Sequence, residues 1–197
     1  NGVLANDRDL DGDPLRVAQV NAAADNVGNA VRGGNGGQFT LNADGSYRFD
    51  PGMDFEALAA GETRTTSVSY QVSDDQGSTS MATLTVTVTG ANDAPIVEAP
   101  LPDAANNDGQ MVTLSTAGAF RDVDTNDRLS YSATGLPDGV MIDAATGVIS
   151  GRLASDASVR APYNVTVTAT DEAGQSVTST FTWAIANLAA TANDDSA

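Results

Sequence analysis

The 197 residues include no cysteine, no histidine and no lysine. Without cysteine there is no disulfide to staple the fold, so stability has to come from packing or bound ions. Without histidine or cysteine, zinc and the softer metals lose their usual ligands. No thiol, imidazole or amine is available as nucleophile or base, and no G-x-S-x-G elbow is present. A carboxylate pair acting on a glycoside is the one catalytic arrangement left, and the chain is not expected to be an enzyme. Aromatic residues make up only 5%, few for the stacking platforms of a glycan site. No apolar run approaches the roughly 20 residues of a membrane span, and helical periodicity is hard to find.

What the chain does have is aspartate. Of 26 acidic residues 22 are Asp, and all nine basic residues are Arg, for a net charge of −17. That balance excludes nucleic acid and anionic membrane surfaces as partners. The skew toward the shorter carboxylate points to groups fixed in turns rather than glutamates spread along helices. A hydrophobic content of 41% still provides for real cores.

Strict alternation fills those cores. In MATLTVTVTG, Ala82, Leu84, Val86 and Val88 face one way and Thr83, Thr85, Thr87 and Thr89 the other. Tyr163, Val165, Val167 and Ala169 repeat the pattern, as do Phe181, Trp183 and Ile185. Period two with threonine on the wet side predicts antiparallel strands with one buried face. Tyr70 lies on an apolar side as well, and Tyr47 and Phe49 share a face expected to enter the core. The sequence also repeats itself: 68–90 aligns with 165–187 at an offset of 97, matching Asp74 to Asp171 and Gly77 to Gly174. Two tandem antiparallel β-sandwiches in an extended arrangement follow, over 1–93, read as a sandwich whose opening strand has been trimmed, and 94–188, with 189–197 opening a further repeat or linker. Pro95 and Pro100 stiffen the connection, and the chain is expected to be a section of a longer array.

In the opening NGVLANDRDLDGDPLRV, Asn6, Asp7, Asp9, Asp11 and Asp13 crowd into eight residues, offset by Arg8 alone. Two carboxylates about 4 Å apart repel by roughly 1 kcal/mol in water and by about 4 at an effective dielectric near 20. Either the loop is splayed in solvent as an Asp-Gly turn, or a cation belongs there. The spacing fits the first half of an EF-hand loop, but the twelfth position is Ala18, where a bidentate Glu is required. A second loop, FRDVDTNDRL, places Asp122, Asp124, Asn126 and Asp127 at similar spacing, with the same two readings. Oxygen ligands on irregular loops favour calcium over zinc or magnesium.

These segments carry a resemblance. LANDRDLDGDPL, GQFTLNADGSYRFDP and the stretch through GANDAP resemble a VCBS-type, cadherin-like repeat of bacterial surface proteins. FRDVDTNDRLSYSATGLPDGVMIDAATGVISGRL and YNVTVTATDEAGQS resemble a dystroglycan-type cadherin-like, Ig-like domain. Such repeats occur in very large RTX-type adhesins, as β-sandwiches strung head to tail with calcium at the joints. The resemblance implies one ligand set from Asp54, Glu56, Asn92, Asp93, Asp122, Asp124 and Asp171, and another from Asp9, Asp11 and Asp74. Asn193 and Asp194 would serve the following repeat. Gly90 and Ala94 stand where animal cadherins carry acidic or amide residues, which implies fewer or weaker ions. The implied role is a calcium-stiffened extender of an adhesin at the bacterial surface, exported by a type I route. Its partners would be neighbouring repeats, and it would act as a monomer without inserting into a membrane. The competing reading is a calcium-dependent lectin gripping exopolysaccharide or host glycan, with Arg8, Arg48 and Arg64 available to an acidic polysaccharide.

Overall fold

A computed structural model describes residues 2–188. The chain divides into two compact units between Asn92 and Asp93.

The first unit has six strands: β1 (Arg16–Val20), β2 (Ala30–Arg32), β3 (Gln38–Leu41), β4 (Tyr47–Asp50), β5 (Thr63–Ser73) and β6 (Thr79–Thr89). They form two antiparallel sheets, ordered β1-β5-β6 and β2-β3-β4. The alternation read from the sequence is what the sheets use. Val68, Tyr70 and Val72 of β5 meet Val17 and Val20 of β1 and Phe39 and Leu41 of β3 in one core drawn from both sheets. Phe49 is half-buried, its ring 4.8 Å from that of Phe39. Tyr47 departs from expectation: it is 44% exposed on β4, which pairs only with β3 among the described residues. An edge strand leaves its terminal residue without a covering neighbour, so alternation alone overstates burial there.

Among the described residues the second unit has nine strands: β7 (Ile96–Val97), β8 (Ala104–Asn107), β9 (Met111–Ser115), β10 (Phe120–Arg121), β11 (Ser130–Thr134), β12 (Val140–Ile142), β13 (Val148–Arg152), β14 (Tyr163–Thr170) and β15 (Ser176–Ala186). A four-stranded sheet β11-β14-β15-β8 and a three-stranded sheet β12-β13-β9 supply the core, with β7 and β10 paired apart. Val112, Ile149, Val165, Val167, Phe181 and Trp183 interleave between them. One pair breaks the antiparallel rule, because β8 runs parallel to β15. The long connection that parallel neighbours require is supplied by everything lying between them in the chain. Trp183, 1% exposed, donates its indole N–H to Asn106 Oδ1 at 2.9 Å, tying β15 to that edge strand.

The repeat survives in three dimensions. β6 and β15 occupy the same span at the 97-residue offset. Thr66↔Val86 through Ser73↔Thr79 on one hairpin reproduce Tyr163↔Trp183 through Thr170↔Ser176 on the other. Each hairpin closes through a glycine at positive φ, Gly77 at 98° and Gly174 at 88°, where a side chain would be strained.

Because Trp183 carries both core volume and the hydrogen bond to Asn106, Trp183→Phe should cost about 2 kcal/mol and Asn106→Ala about 1. In urea unfolding followed by circular dichroism, the double variant should cost less than the sum. Additive losses would show that the two side chains do not act together.

Candidate metal centre

Several of the aspartates share one local device. A carboxylate at the start of a tight turn reaches forward and accepts backbone N–H groups two to four residues on. Asp74 Oδ1 takes Gln76 N–H at 2.9 Å and Ser78 N–H at 2.7 Å. Asp143 Oδ1 takes Ala145 and Thr146 N–H together with the Thr146 hydroxyl. Asp9, Asp44, Asp50 and Asp171 do the same in their own turns. Burial pushes the Asp74 carboxyl up, but the Ser78 side chain and the N–H groups of Ser78, Gly77 and Gln76 outweigh it and leave the group below its ordinary value. Asp143 is held low by Thr146 and Ala145.

The loop after β10 departs from this economy. Asp122 Oδ1 accepts Asp124 N–H at 3.0 Å, and Asp124 Oδ2 accepts Asp93 N–H at 2.9 Å. The remaining oxygens, Asp122 Oδ2, Asp124 Oδ1 and Asp127 Oδ2, are buried without a hydrogen-bond partner among the described residues. Asp124 is only 2% exposed. Carboxylate oxygens of Asp122, Asp127 and Asp171 all lie within 4.8 Å of one another. Asp171 comes from the β14–β15 turn, so the hairpin and the loop converge on one spot. Burial raises the Asp127 carboxyl first, and the charges of Asp124, Asp122, Glu172 and Asp171 push the same way. Buried polar atoms in folded proteins are almost always paired, and here three unpaired ones lie in a single loop, two of them on members of the cluster, Asp122 and Asp127, and the third on Asp124 between them in the chain. The set fits calcium: ligand distances of about 2.3–2.6 Å allow oxygens up to about 5 Å apart to share one ion. Asp122, Asp124, Asp127 and Asp171 would hold it, and the ion would supply positive charge in the midst of their carboxylates.

The other residues singled out in the sequence fall in several places. Asp7, Asp9 and Asp74 line one cleft of the first unit. Asp13 joins Asp7 and Asp9 in an adjoining hollow. Asp11 is exposed and meets this group through its own N–H, which donates to Asp9 Oδ1. Asp7 Oδ2 accepts the Tyr70 hydroxyl at 3.5 Å. Asp54 is engaged within the first unit: it accepts Arg32 at 2.8 Å and Gly37 N–H at 2.7 Å, which together hold its carboxyl low. Glu56 lies exposed two residues on, and Asn92 is half-buried at the end of the first unit. Asp93 reaches the cluster by its backbone N–H, a role no side-chain motif could announce. Asn193 and Asp194 lie outside the described residues.

Together these features define a class, tandem cadherin-like, Ig-type β-sandwiches. Residues 1–90 match the family model described as "Bacterial cadherin-like domain", and residues 94–186 match the one described as "Putative Ig domain". Among solved structures, the chain is similar to the five N-terminal extracellular cadherin domains of protocadherin gamma B2, with 15% identity over 93% of this chain and 35% of that one, at a TM-score of 0.59. It is also similar to domains EC22–24 of mouse cadherin-23, with 17% identity over 76% of this chain and 50% of that one, at a TM-score of 0.50. It thus spans half or less of these chains, and at such identities the likeness concerns the fold alone. No curated protein matches in sequence. Domains of these families are usually extracellular, generally bind calcium in the cadherin-like case, and are typically not enzymes. Among the described residues no helix is long and apolar enough to cross a membrane.

The two kinds of aspartate oppose each other on acidification. A carboxyl raised in the folded state, as Asp127 is, favours folding when protonated. The metal-free protein should therefore gain stability as pH falls from neutral through that raised value toward the ordinary 3.8. Asp54, Asp74 and Asp143 are lowered, so their contribution is present above 3.8 and is lost as pH falls through their lowered values. Scanning calorimetry in chelator should show a melting maximum in the acid range. A monotonic fall from pH 7 would show that the cluster carries no repulsion.

Proposed function

We propose that this chain is a calcium-binding extender module of a very large secreted bacterial adhesin, supporting attachment to surfaces or growth in biofilms. The family matches support the coarser statement, an adhesion-related extracellular module. The single observation carrying the calcium reading is the set of orphaned oxygens on Asp122, Asp124 and Asp127 beside Asp171. The cleft of Asp7, Asp9 and Asp74 is the candidate for a weaker second site. Export by a type I route and RTX-type, VCBS-type company in the parent protein rest on the resemblance of the segments quoted above. A lectin-like role has less to support it, since Tyr47 is the exposed aromatic among the described residues and stands on an edge strand with no aromatic companion on its open side.

Extracellular modules of this kind bind calcium with dissociation constants of about 10⁻⁴–10⁻³ M. Such sites fill at millimolar calcium and stay empty at submicromolar levels. At a hundredfold excess over the dissociation constant, binding adds about 2.7 kcal/mol per site. The module would then be looser before export and firmer after it, which suits a spacer that projects a distal binding domain.

Asp127→Asn provides a test with a change of sign. In chelator it removes a repelled charge and should raise the melting temperature by a few degrees. In 10 mM calcium it should lower the melting temperature below that of the parent chain, with calorimetric affinity reduced at least tenfold. A variant equally stable in both conditions, or a parent chain with no heat of calcium binding, would rule out the site.

The spacer role has its own readout. X-ray scattering should show a larger maximum dimension, or less spread among conformers, in calcium than in chelator. Identical profiles with the ion demonstrably bound would separate binding from stiffening. Binding of the fragment to exopolysaccharide on a glycan array would favour the lectin reading instead.

A further inference from the structure

All four methionines of the chain are exposed. Met53 is 88% exposed in the loop after β4, Met81 56% on β6, Met111 65% on β9 and Met141 73% on β12. Methionine is more often a buried residue that fills irregular gaps in a core. Here both cores are free of sulfur among the described residues. On the three strands the alternation turns the thioether outward and its neighbour inward. Ala82, Val112 and Ile142 pack on the cores, while Met81, Met111 and Met141 face solvent.

That placement decides what oxidation does. A methionine that gains oxygen becomes a polar sulfoxide, which disrupts a core but meets only water at a surface. The sequence has no cysteine, so these four thioethers are its whole supply of oxidisable sulfur. Trp183, the other oxidation-prone side chain, is sealed in the second core. Two of the four sites also have a donor at hand. Met111 lies opposite Arg152, and Met141 opposite Ser150, on the outward face of β12-β13-β9. Side chains paired in this way stand about 4.5–5.5 Å apart at Cβ. A thioether is a weak acceptor, whereas a sulfoxide oxygen can take the Arg152 guanidinium or the Ser150 hydroxyl. Arg152 is in no ion pair among the described residues.

We propose that Met53, Met81, Met111 and Met141 are surface modification sites that consume oxidant, a peroxide or a hypohalous acid, without loss of the fold. With hydrogen peroxide, a sulfur lone pair attacks one oxygen and the O–O bond breaks. The transferred oxygen gives up its proton to the departing hydroxide, which leaves as water. The thioether is oxidised by two electrons to the sulfoxide, and the peroxide is reduced by two. With hypochlorous acid the same gain of oxygen releases chloride and a proton. The oxidant is thus spent outside both cores, ahead of the aromatic rings.

The test oxidises the full chain with hydrogen peroxide and follows each methionine by peptide mass spectrometry. All four should react within about threefold of the rate of N-acetylmethionine amide, and the fully oxidised chain should melt within about 2 °C of the untreated one. A second arm adds hypochlorous acid at four equivalents per chain, one for each methionine. Tyr47, the exposed aromatic, should then stay unchlorinated. In a variant carrying Met53→Leu, Met81→Leu, Met111→Leu and Met141→Leu, which leaves the core residues unchanged, chlorination of Tyr47 should rise by about tenfold. Three outcomes would overturn the proposal: a methionine reacting more than about tenfold slower than the model compound, a chain that unfolds on oxidation, or equal chlorination of Tyr47 in the parent and the variant.

Discussion

Every carboxylate in this chain needs a positive or hydrogen-donating partner, and the sequence offers few cationic ones. Nine arginines face 26 acidic residues, and the observed ion pairs, such as Arg32–Asp54 and Arg48–Asp50, join partly or fully exposed groups. Such pairs contribute little. The partners that matter are backbone N–H groups presented by tight turns. An aspartate at the head of a turn takes one or two of them at hydrogen-bond distance and fixes the turn as it does so, which explains why the short carboxylate outnumbers the long one. Asp74 and Asp171 hold equivalent positions at the head of the turns that close the two long hairpins. In the loop at 122–127 the Asp124 and Asp93 amides satisfy one oxygen each, and Asp122 Oδ2, Asp124 Oδ1 and Asp127 Oδ2 stay buried without a partner among the described residues. The candidate metal site is thus a local exception to the rule that shapes the other turns, and that contrast separates it from an ordinary solvated acidic patch.

The alternation of apolar and threonine residues made the strands legible, because period two is the only pattern that puts one face of a strand in a core. It also fixed the hairpin register, since a slip of one residue would turn Val165 and Phe181 outward. The 97-residue repeat translated directly into two hairpins with the same pairing. What the pattern could not convey is which strand has a neighbour. Tyr47 and Trp183 both lie in alternating segments, yet one is exposed on an edge and the other is sealed by β8. Neighbours are set by tertiary topology, and the parallel pairing of β8 with β15 joins segments almost eighty residues apart.

The site shows the same division. The spacing of Asp122, Asp124 and Asp127 marked one loop, and the repeat pointed to Asp171. Their convergence, and the burial that leaves three oxygens without donors, depend on how the loop after β10 packs against the β14–β15 turn. Asp54 shows the limit from the other side. It stands in an acidic pair by sequence, but Arg32, 22 positions away, and the Gly37 N–H claim its two oxygens. A side chain can be a ligand in composition and a turn anchor in the fold, and only the partner list separates the two.

A cation at the 122–127 loop would also answer the first absence noted in this sequence. Asp122 and Asp171 are 49 residues apart, and an ion gripping both would close that loop much as a disulfide closes one. A permanent cross-link over about 50 residues removes roughly 4 kcal/mol of chain entropy from the unfolded state. A reversible one is bounded instead by affinity and concentration, about 2.7 kcal/mol at a hundredfold excess of ion. The two are therefore comparable in size but differ in control. A disulfide responds to redox conditions, whereas an ion cross-link responds to the calcium level on either side of a membrane. On the proposed reading, a chain without cysteine that gathers the carboxylates of Asp122, Asp124, Asp127 and Asp171 from two distant segments would take its staple from the surroundings, and the repulsion within the cluster is what would make the two states differ.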